Sequence, residues 1–224
     1  MSYEYLLLDI DNHVATVTIN RPPVNPLNSV VFKEIGLLMD ELDQRDDVRV
    51  IVLTGSGNKA FVAGADVNEM ADVTLPEINK MNKVSREAFT KVENATKPVI
   101  AAINGVALGG GFELALACDL RISSEKAQFA FPEVGLGIIP GGGGTQRLQK
   151  IVGQGVAKEL LYFGDMLSAK KAEDYHIVNK VVAHEEVLDT AKDWATKLAK
   201  KPPIALQMLK LAVNKGSQAD IDTG

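Results

Sequence analysis

Two stretches of the chain, Val48–Thr54 and Pro98–Ala107, are dominated by apolar residues. In Pro98–Ala107 the apolar side chains fall on both sides, the pattern of a strand covered on both faces. A chain with such strands must supply helices or a second sheet to cover them. It does supply helices. From Ser29 to Leu42, Val31, Ile35, Leu38, Met39 and Leu42 recur at helical spacing. Thr74 and Glu77 form a capping box with Pro76 in the first turn, opening an apolar stripe of Ile78, Met81, Val84, Ala88, Phe89 and Val92.

Tyr3–Asp9 and Val14–Asn20 are expected as a hairpin, and Arg21-Pro22-Pro23 breaks the sheet after them. Phe112–Ala117 is expected as a short buried helix, and Leu120–Ser123 and Ala127–Phe131 as strands. Beyond Gly144 helices are expected over Thr145–Val152, Val156–Phe163, Ala169–Tyr175, Val187–Lys200 and Ile204–Asn214, with a strand at Ile177–Val182. The fold class is α/β with a helical end. We divide it into a core over residues 1–190 and a C-terminal helical region over 191–224, which reads as incomplete.

Composition excludes several classes of function. A net charge of −5 argues against a general nucleic-acid surface. Cys118 is the single cysteine, and His13, His176 and His184 are scattered, so neither a disulfide nor a metal site is expected. The acidic start and the lack of an apolar run of ~18–20 residues point to a cytoplasmic protein without a membrane span. A matrix enzyme that had lost its transit peptide would look the same.

Seven of the 19 glycines lie in two runs, Gly109–Gly111 and Gly141–Gly144. Each such glycine costs up to ~1 kcal/mol relative to alanine in a regular element, so clusters suggest backbone amides that must approach something closely. Leu114 occupies the third small position after Gly109-x-Gly111, which defeats the dinucleotide fingerprint. Neither a P-loop nor a Gly-x-Ser-x-Gly elbow is present. Glu113 and Glu133 each sit in apolar company beside one of these runs. Burial, and the nearness of a second carboxylate, would move either towards the range useful for acid–base work. The plainer reading of either alone is an ion pair with an arginine such as Arg121 or Arg147.

Three segments carry a resemblance. They are Phe61–Asp66 (FVAGAD), Asn104–Leu114 (NGVALGGGFEL) and Phe131–Thr145 (FPEVGLGIIPGGGGT), preceded by Asn20-Arg21-Pro22 through Asn25-Pro26-Leu27-Asn28. In order and spacing the chain resembles the enoyl-CoA hydratase/isomerase, or crotonase, family over almost its whole length. Its motifs are most similar to those of the enoyl-CoA hydratases and 3-hydroxybutyryl-CoA dehydratases. The resemblance implies a spiral of strand–strand–helix turns with a helical C-terminal region used in trimers or dimers of trimers. It implies an acyl-CoA substrate, with no cofactor beyond the coenzyme A that the substrate carries. By position, the amides of Ala65 and Gly110 would form an oxyanion hole, Glu113 and Glu133 would be the catalytic pair, and the Gly141 amide would hold water. Val24, Ala63 and Ala65 would contact coenzyme A.

The implied activity is reversible syn hydration of a 2-enoyl-CoA, with Glu113 as base and Glu133 as acid. An isomerase or another acyl-CoA lyase on the same scaffold is the alternative. RNA binding and a serine peptidase of similar fold rank lower, for want of a basic patch and of a serine in the glycine loops. Family members generally continue with a further helical stretch beyond residue 224, and the Thr74–Val92 helix is expected to floor the acyl pocket.

Overall fold

The computed structural model describes residues 3–69 and 74–216. The expected hairpin is present: β1 (Leu6–Asp11) pairs antiparallel with β2 (Val14–Ile19). Asn12 and His13 between them both take positive φ, 49° and 66°, as a two-residue turn matched to strand twist requires. Helix α1 (Ser29–Gln44) follows, capped by Asn28, whose side chain accepts from the Val31 amide at 2.9 Å. Its buried stripe includes Val31, Ile35, Leu38, Met39 and Leu42, the positions the spacing predicts.

After α1 the chain winds in repeated turns. Strand β3 (Val50–Gly55) is followed by β4 (Ala60–Val62) and helix α2 (Leu75–Asn94). Then come β5 (Val99–Ile103), β6 (Val106–Leu108) and helix α3 (Gly110–Ala117). The next turn is β7 (Leu120–Ser124), β8 (Gln128–Ala130) and helix α4 (Gly144–Phe163), followed by β9 (Leu167–Ser168). Each turn gives its first strand to one sheet and its second to another. The larger sheet runs β1-β2-β3-β5-β7 and ends with β10 (Lys180–Val182); the smaller runs β4-β6-β8-β9. This is the strand–strand–helix spiral expected.

The expectation of one strand over Pro98–Ala107 is corrected: it is two strands in two sheets. Asn104 turns the corner by donating its side-chain amide to the carbonyls of Gly55 (2.9 Å) and Gly57 (2.8 Å). Both halves are apolar, β5 being buried throughout and β6 at least half-buried, so hydropathy alone shows no break. Phe61 and Val62, at the start of the Phe61–Asp66 segment, belong to β4. The strand expected at Ile177–Val182 is confined to β10, with Ile177 and Val178 buried ahead of it.

The larger sheet is covered on both faces. Ile51, Leu53, Val99, Ala101 and Ile103 join the α1 side chains in one core. Val50, Val52, Ile100, Ala102 and Ile122 pack in a second, against Val187, Ala191, Ala195 and Ala199. Those four lie on one face of α6 (Val187–Ala199), a helix within which residue 190 falls. Full burial of each valine, leucine or isoleucine here stabilises by about 1.5–3 kcal/mol before entropy is counted. Helix α4 is kinked at Gly153 (φ 77°, ψ 164°), between the two helices expected there. Helix α5 (Ala169–Asp174) precedes β10, and α7 (Pro203–Gly216) closes the described chain. Helix α7 is anchored by Lys210, whose Nζ lies 2.8 Å from Asp119 Oδ2, while Ile204, Met208, Leu209, Leu211 and Val213 are exposed.

Candidate active site

The smaller sheet places the site. Strand β6 is followed by Gly109, at φ 48°, and the chain then enters α3. The Gly109 carbonyl accepts from the Glu113 amide at 2.9 Å, setting Glu113 in the first turn of that helix. Glu113 is 3% exposed. Its Oε1 accepts two amides of the second glycine run, from Gly142 at 2.8 Å and Gly144 at 2.7 Å. The close approach needs glycine: a methyl on Gly142 would come within 2.6 Å of Glu113 Oε2 and 2.7 Å of the Phe89 ring. Backbone donors were expected in this run; that two of them serve Glu113 was not.

Glu133 comes from the turn after β8, within the 3₁₀ segment Pro132–Leu136. A methyl on Gly109 would lie 2.7 Å from Glu133 Oε1, so the carboxyl rests against the start of α3. Glu133 Oε2 is buried without a hydrogen-bond partner among the described residues. An orphaned buried acceptor is costly, and it is the state in which a carboxyl holds a proton.

Neither glutamate has the arginine partner that the plainer reading required. Arg147 pairs with Glu93 at 2.7 Å and donates to the Gly142 carbonyl at 2.8 Å, bracing the loop from behind. Arg121 donates to the carbonyls of Ile177, Cys118 and Ala115. Burial raises the pKa of Glu113, opposed by the Gly144 and Gly142 amides and the charge of Arg147. Burial pushes Glu133 up to about 7; its own backbone amide opposes the rise and the Glu113 charge adds to it.

A folded-state pKa above the ordinary 4.5 means the folded chain binds this proton more tightly than the unfolded one. The associated stability is present in full below pH 4.5 and is lost as pH rises through about 7. Glu133→Gln cannot ionise and removes this slope. We expect the stability difference between wild type and variant to change by on the order of 1–2 kcal/mol between pH 5 and pH 8, after discounting for the solvent reaching this carboxyl. Urea unfolding of both proteins at the two pH values measures it; parallel pH curves would refute it.

The other expected site residues, Val24 excepted, are reached from the same cavity, of about 180 Å³. Ala63, Ala65, Gly110 and Gly141 all line it with Glu113 and Glu133. A methyl on Gly110 would stand 3.8 Å from the Ala65 nitrogen, so these two backbones face one another across the opening. Among the described residues no backbone carbonyl accepts from either amide. Val24 is not on the cavity wall; its carbonyl instead accepts from the Ala63 amide at 3.0 Å, which places it behind that residue.

Helix α2 does line the pocket, through Ile78, Met81, Asn82 and Ser85. The polar pair Asn82 and Ser85 was not singled out in the sequence. Asn82 follows Ile78 by four and Ser85 follows Met81 by four, which puts them on the same helical face, and that was the available signal. Ile138 and Ile139, between Glu133 and the glycine run, also belong to the wall.

A sequence model of the family described as "Enoyl-CoA hydratase/isomerase" matches residues 9–223. The chain belongs to the enoyl-CoA hydratase/isomerase family. Within it, the short-chain-enoyl-CoA hydratase of Clostridium acetobutylicum is 46% identical over 224 residues, covering 100% of this chain and 86% of that one. The crotonyl-CoA hydratase of Syntrophomonas wolfei is 44% identical, covering 99% and 86%. A crystal structure of an enoyl-CoA hydratase from Bacillus anthracis superposes with a TM-score of 0.95 at 40% identity, covering 98% of this chain and 86% of that chain. The fold described above is therefore the family's fold. Among the described residues no helix is long and apolar enough to cross a membrane.

Proposed function

We propose that this protein is an enoyl-CoA hydratase, adding water reversibly and syn across the C2=C3 bond of a 2-enoyl-CoA to give a 3-hydroxyacyl-CoA. The observation that carries this reading is the pairing of two carboxyls of unlike environment in one cavity. Glu113 is fixed by two amides, and Glu133 is raised to about 7 with an unpartnered oxygen.

In this mechanism the thioester oxygen lies between the Ala65 and Gly110 amides. Attack of water at C3 builds enolate charge on that oxygen, and each fixed donor contributes about 10²–10³ in rate. Glu113 takes the proton from the attacking water, which the Gly141 amide helps hold. Glu133 delivers its proton to C2. Dehydration runs the same steps backwards with the roles exchanged. Ala63 and Ala65, which line the cavity, contact the coenzyme A part of the substrate, with Val24 supporting Ala63 from behind, and the chemistry draws on no other cofactor.

Double-bond isomerisation, or another acyl-CoA lyase reaction, is the second reading. Moving a double bond needs one carboxyl to carry a proton between carbons, whereas hydration uses two; the presence of both favours hydration. The exposed apolar residues of α7, with Tyr162 and Phe163 at the end of α4 and Met166 just beyond it, support assembly as a trimer or dimer of trimers. A cytoplasmic setting goes with a substrate whose charged coenzyme A confines it to the compartment that makes it.

The test is decay of the conjugated enoyl absorbance of crotonyl-CoA with chromatographic identification of the product. Stoichiometric 3-hydroxybutyryl-CoA supports hydration; a displaced double bond supports the second reading.

The pH profile follows from proton counting. Hydration starts from Glu113 ionised and Glu133 protonated and ends with the proton exchanged, so either direction requires one proton on the pair. We expect kcat/KM to fall as pH rises through about 7, where that proton is lost, with the same limb for hydration and dehydration. A rate independent of pH from 6 to 9 would contradict it.

A further inference from the structure

We propose that Arg21 is a positioning residue for the oxyanion hole, acting through Asp66 to keep the Ala65 amide aimed into the cavity. This rests on the hydratase reading above. Arg21 lies far along the chain from Ala65, and nothing in the catalytic assignment uses it.

The geometry starts at Leu27. Its amide donates to the Gly64 carbonyl at 2.9 Å, and its carbonyl accepts from the Asp66 amide at 2.8 Å. The Gly64 carbonyl and the Ala65 N–H belong to one planar trans peptide and must point in opposite directions. Holding the carbonyl on Leu27 therefore turns the Ala65 N–H away from Leu27, towards the cavity that Ala65 lines. The aim of this donor is decided by whether the segment carrying Leu27 stays in register with Gly64–Asp66.

Arg21 locks that register. Its Nη2 lies 2.6 Å from Asp66 Oδ2, with side-chain exposures of 23% and 10%. Its Nη1 donates to the Pro26 carbonyl at 3.2 Å, immediately before Leu27. One guanidinium thus grips both segments, through Asp66, which follows Ala65, and through Pro26, which precedes Leu27. The fork is itself held: the Arg21 amide donates to Asn25 Oδ1 at 3.1 Å, and the guanidinium lies 5.5 Å from the centre of the Tyr5 ring. Asp66 is fixed from its other oxygen by the Asn68 amide and side chain, both at 3.0 Å. An arginine suits this place because its planar fork makes both bonds at once; a lysine can make only one of them well.

The test uses Arg21→Met and Arg21→Lys in the full chain with two readouts. One is kcat and KM for crotonyl-CoA. The other is the infrared carbonyl stretch of bound [1-13C]butyryl-CoA, which cannot be hydrated and reports how strongly the oxygen is polarised. We expect kcat of Arg21→Met to fall by about 10–100-fold, short of the full loss of one donor, with KM within a few-fold of wild type. Its bound carbonyl stretch should move back towards the value in water, and Arg21→Lys should be intermediate in both. Arg21→Lys keeps a cation for Asp66 and so serves as the reading if the methionine variant does not fold. A variant with lowered melting temperature but wild-type kcat and carbonyl stretch overturns the inference alone. A wild type that binds butyryl-CoA without lowering its carbonyl stretch overturns the hydratase reading and this inference together.

Discussion

Glu133→Gln is expected to lower kcat for hydration of crotonyl-CoA by about 10²–10⁴-fold, the usual range for removing a general acid, with KM changed by no more than a few-fold. Glutamine has the same shape, so the cavity beside Gly109 is kept. What it lacks is a proton that can be given up and regained near pH 7. The wild-type carboxyl has this property because burial, with a smaller push from Glu113, raises it to about 7, while its buried Oε2 has no partner among the described residues to hold the charge. Steady-state rates and a direct binding measurement with butyryl-CoA separate the two quantities. Turnover within ten-fold of wild type would remove Glu133 from the mechanism.

Glu113→Gln is expected to be at least as damaging, by about 10³-fold or more in kcat, because general-base and nucleophile-positioning effects are lost together. The substitution is informative because it need not disturb the loop. Both amide bonds, from Gly142 and Gly144, are made to Oε1, and the glutamine carbonyl oxygen can accept both. The replaced atom is Oε2, which in the wild type remains to receive the water's proton. The expected signature is a protein with near wild-type thermal stability and acyl-CoA binding but almost no turnover. Retained turnover would show that another group, such as Glu133 alone, activates the water.

The two carboxylates were legible in the sequence because each interrupts an apolar run next to glycines, a local anomaly that burial makes chemically meaningful. Their separate states were not. The amides that hold Glu113 lie 29 and 31 residues away, and no local pattern reveals such a contact. The helices α1 and α2 were legible from periodicity and caps: the Thr74 amide does donate to the Glu77 carboxylate, at 2.7 Å. The corner at Asn104 was hidden because the strands on either side of it are both apolar. Asn82 and Ser85 were passed over for the opposite reason, being polar residues on a face read for its apolar ones. The weakest of the expected contacts was Val24, which lies behind Ala63 rather than on the cavity wall.

The most direct measurement is hydration of crotonyl-CoA by the wild-type protein in D2O, with the product examined by NMR. The expected result is 3-hydroxybutyryl-CoA carrying one deuterium at C2, on the same face as the new hydroxyl, as paired carboxyls on one side of the substrate require. Unhydrated thioester with a displaced double bond, or unchanged crotonyl-CoA from protein that binds it, would contradict a hydratase built on Glu113 and Glu133.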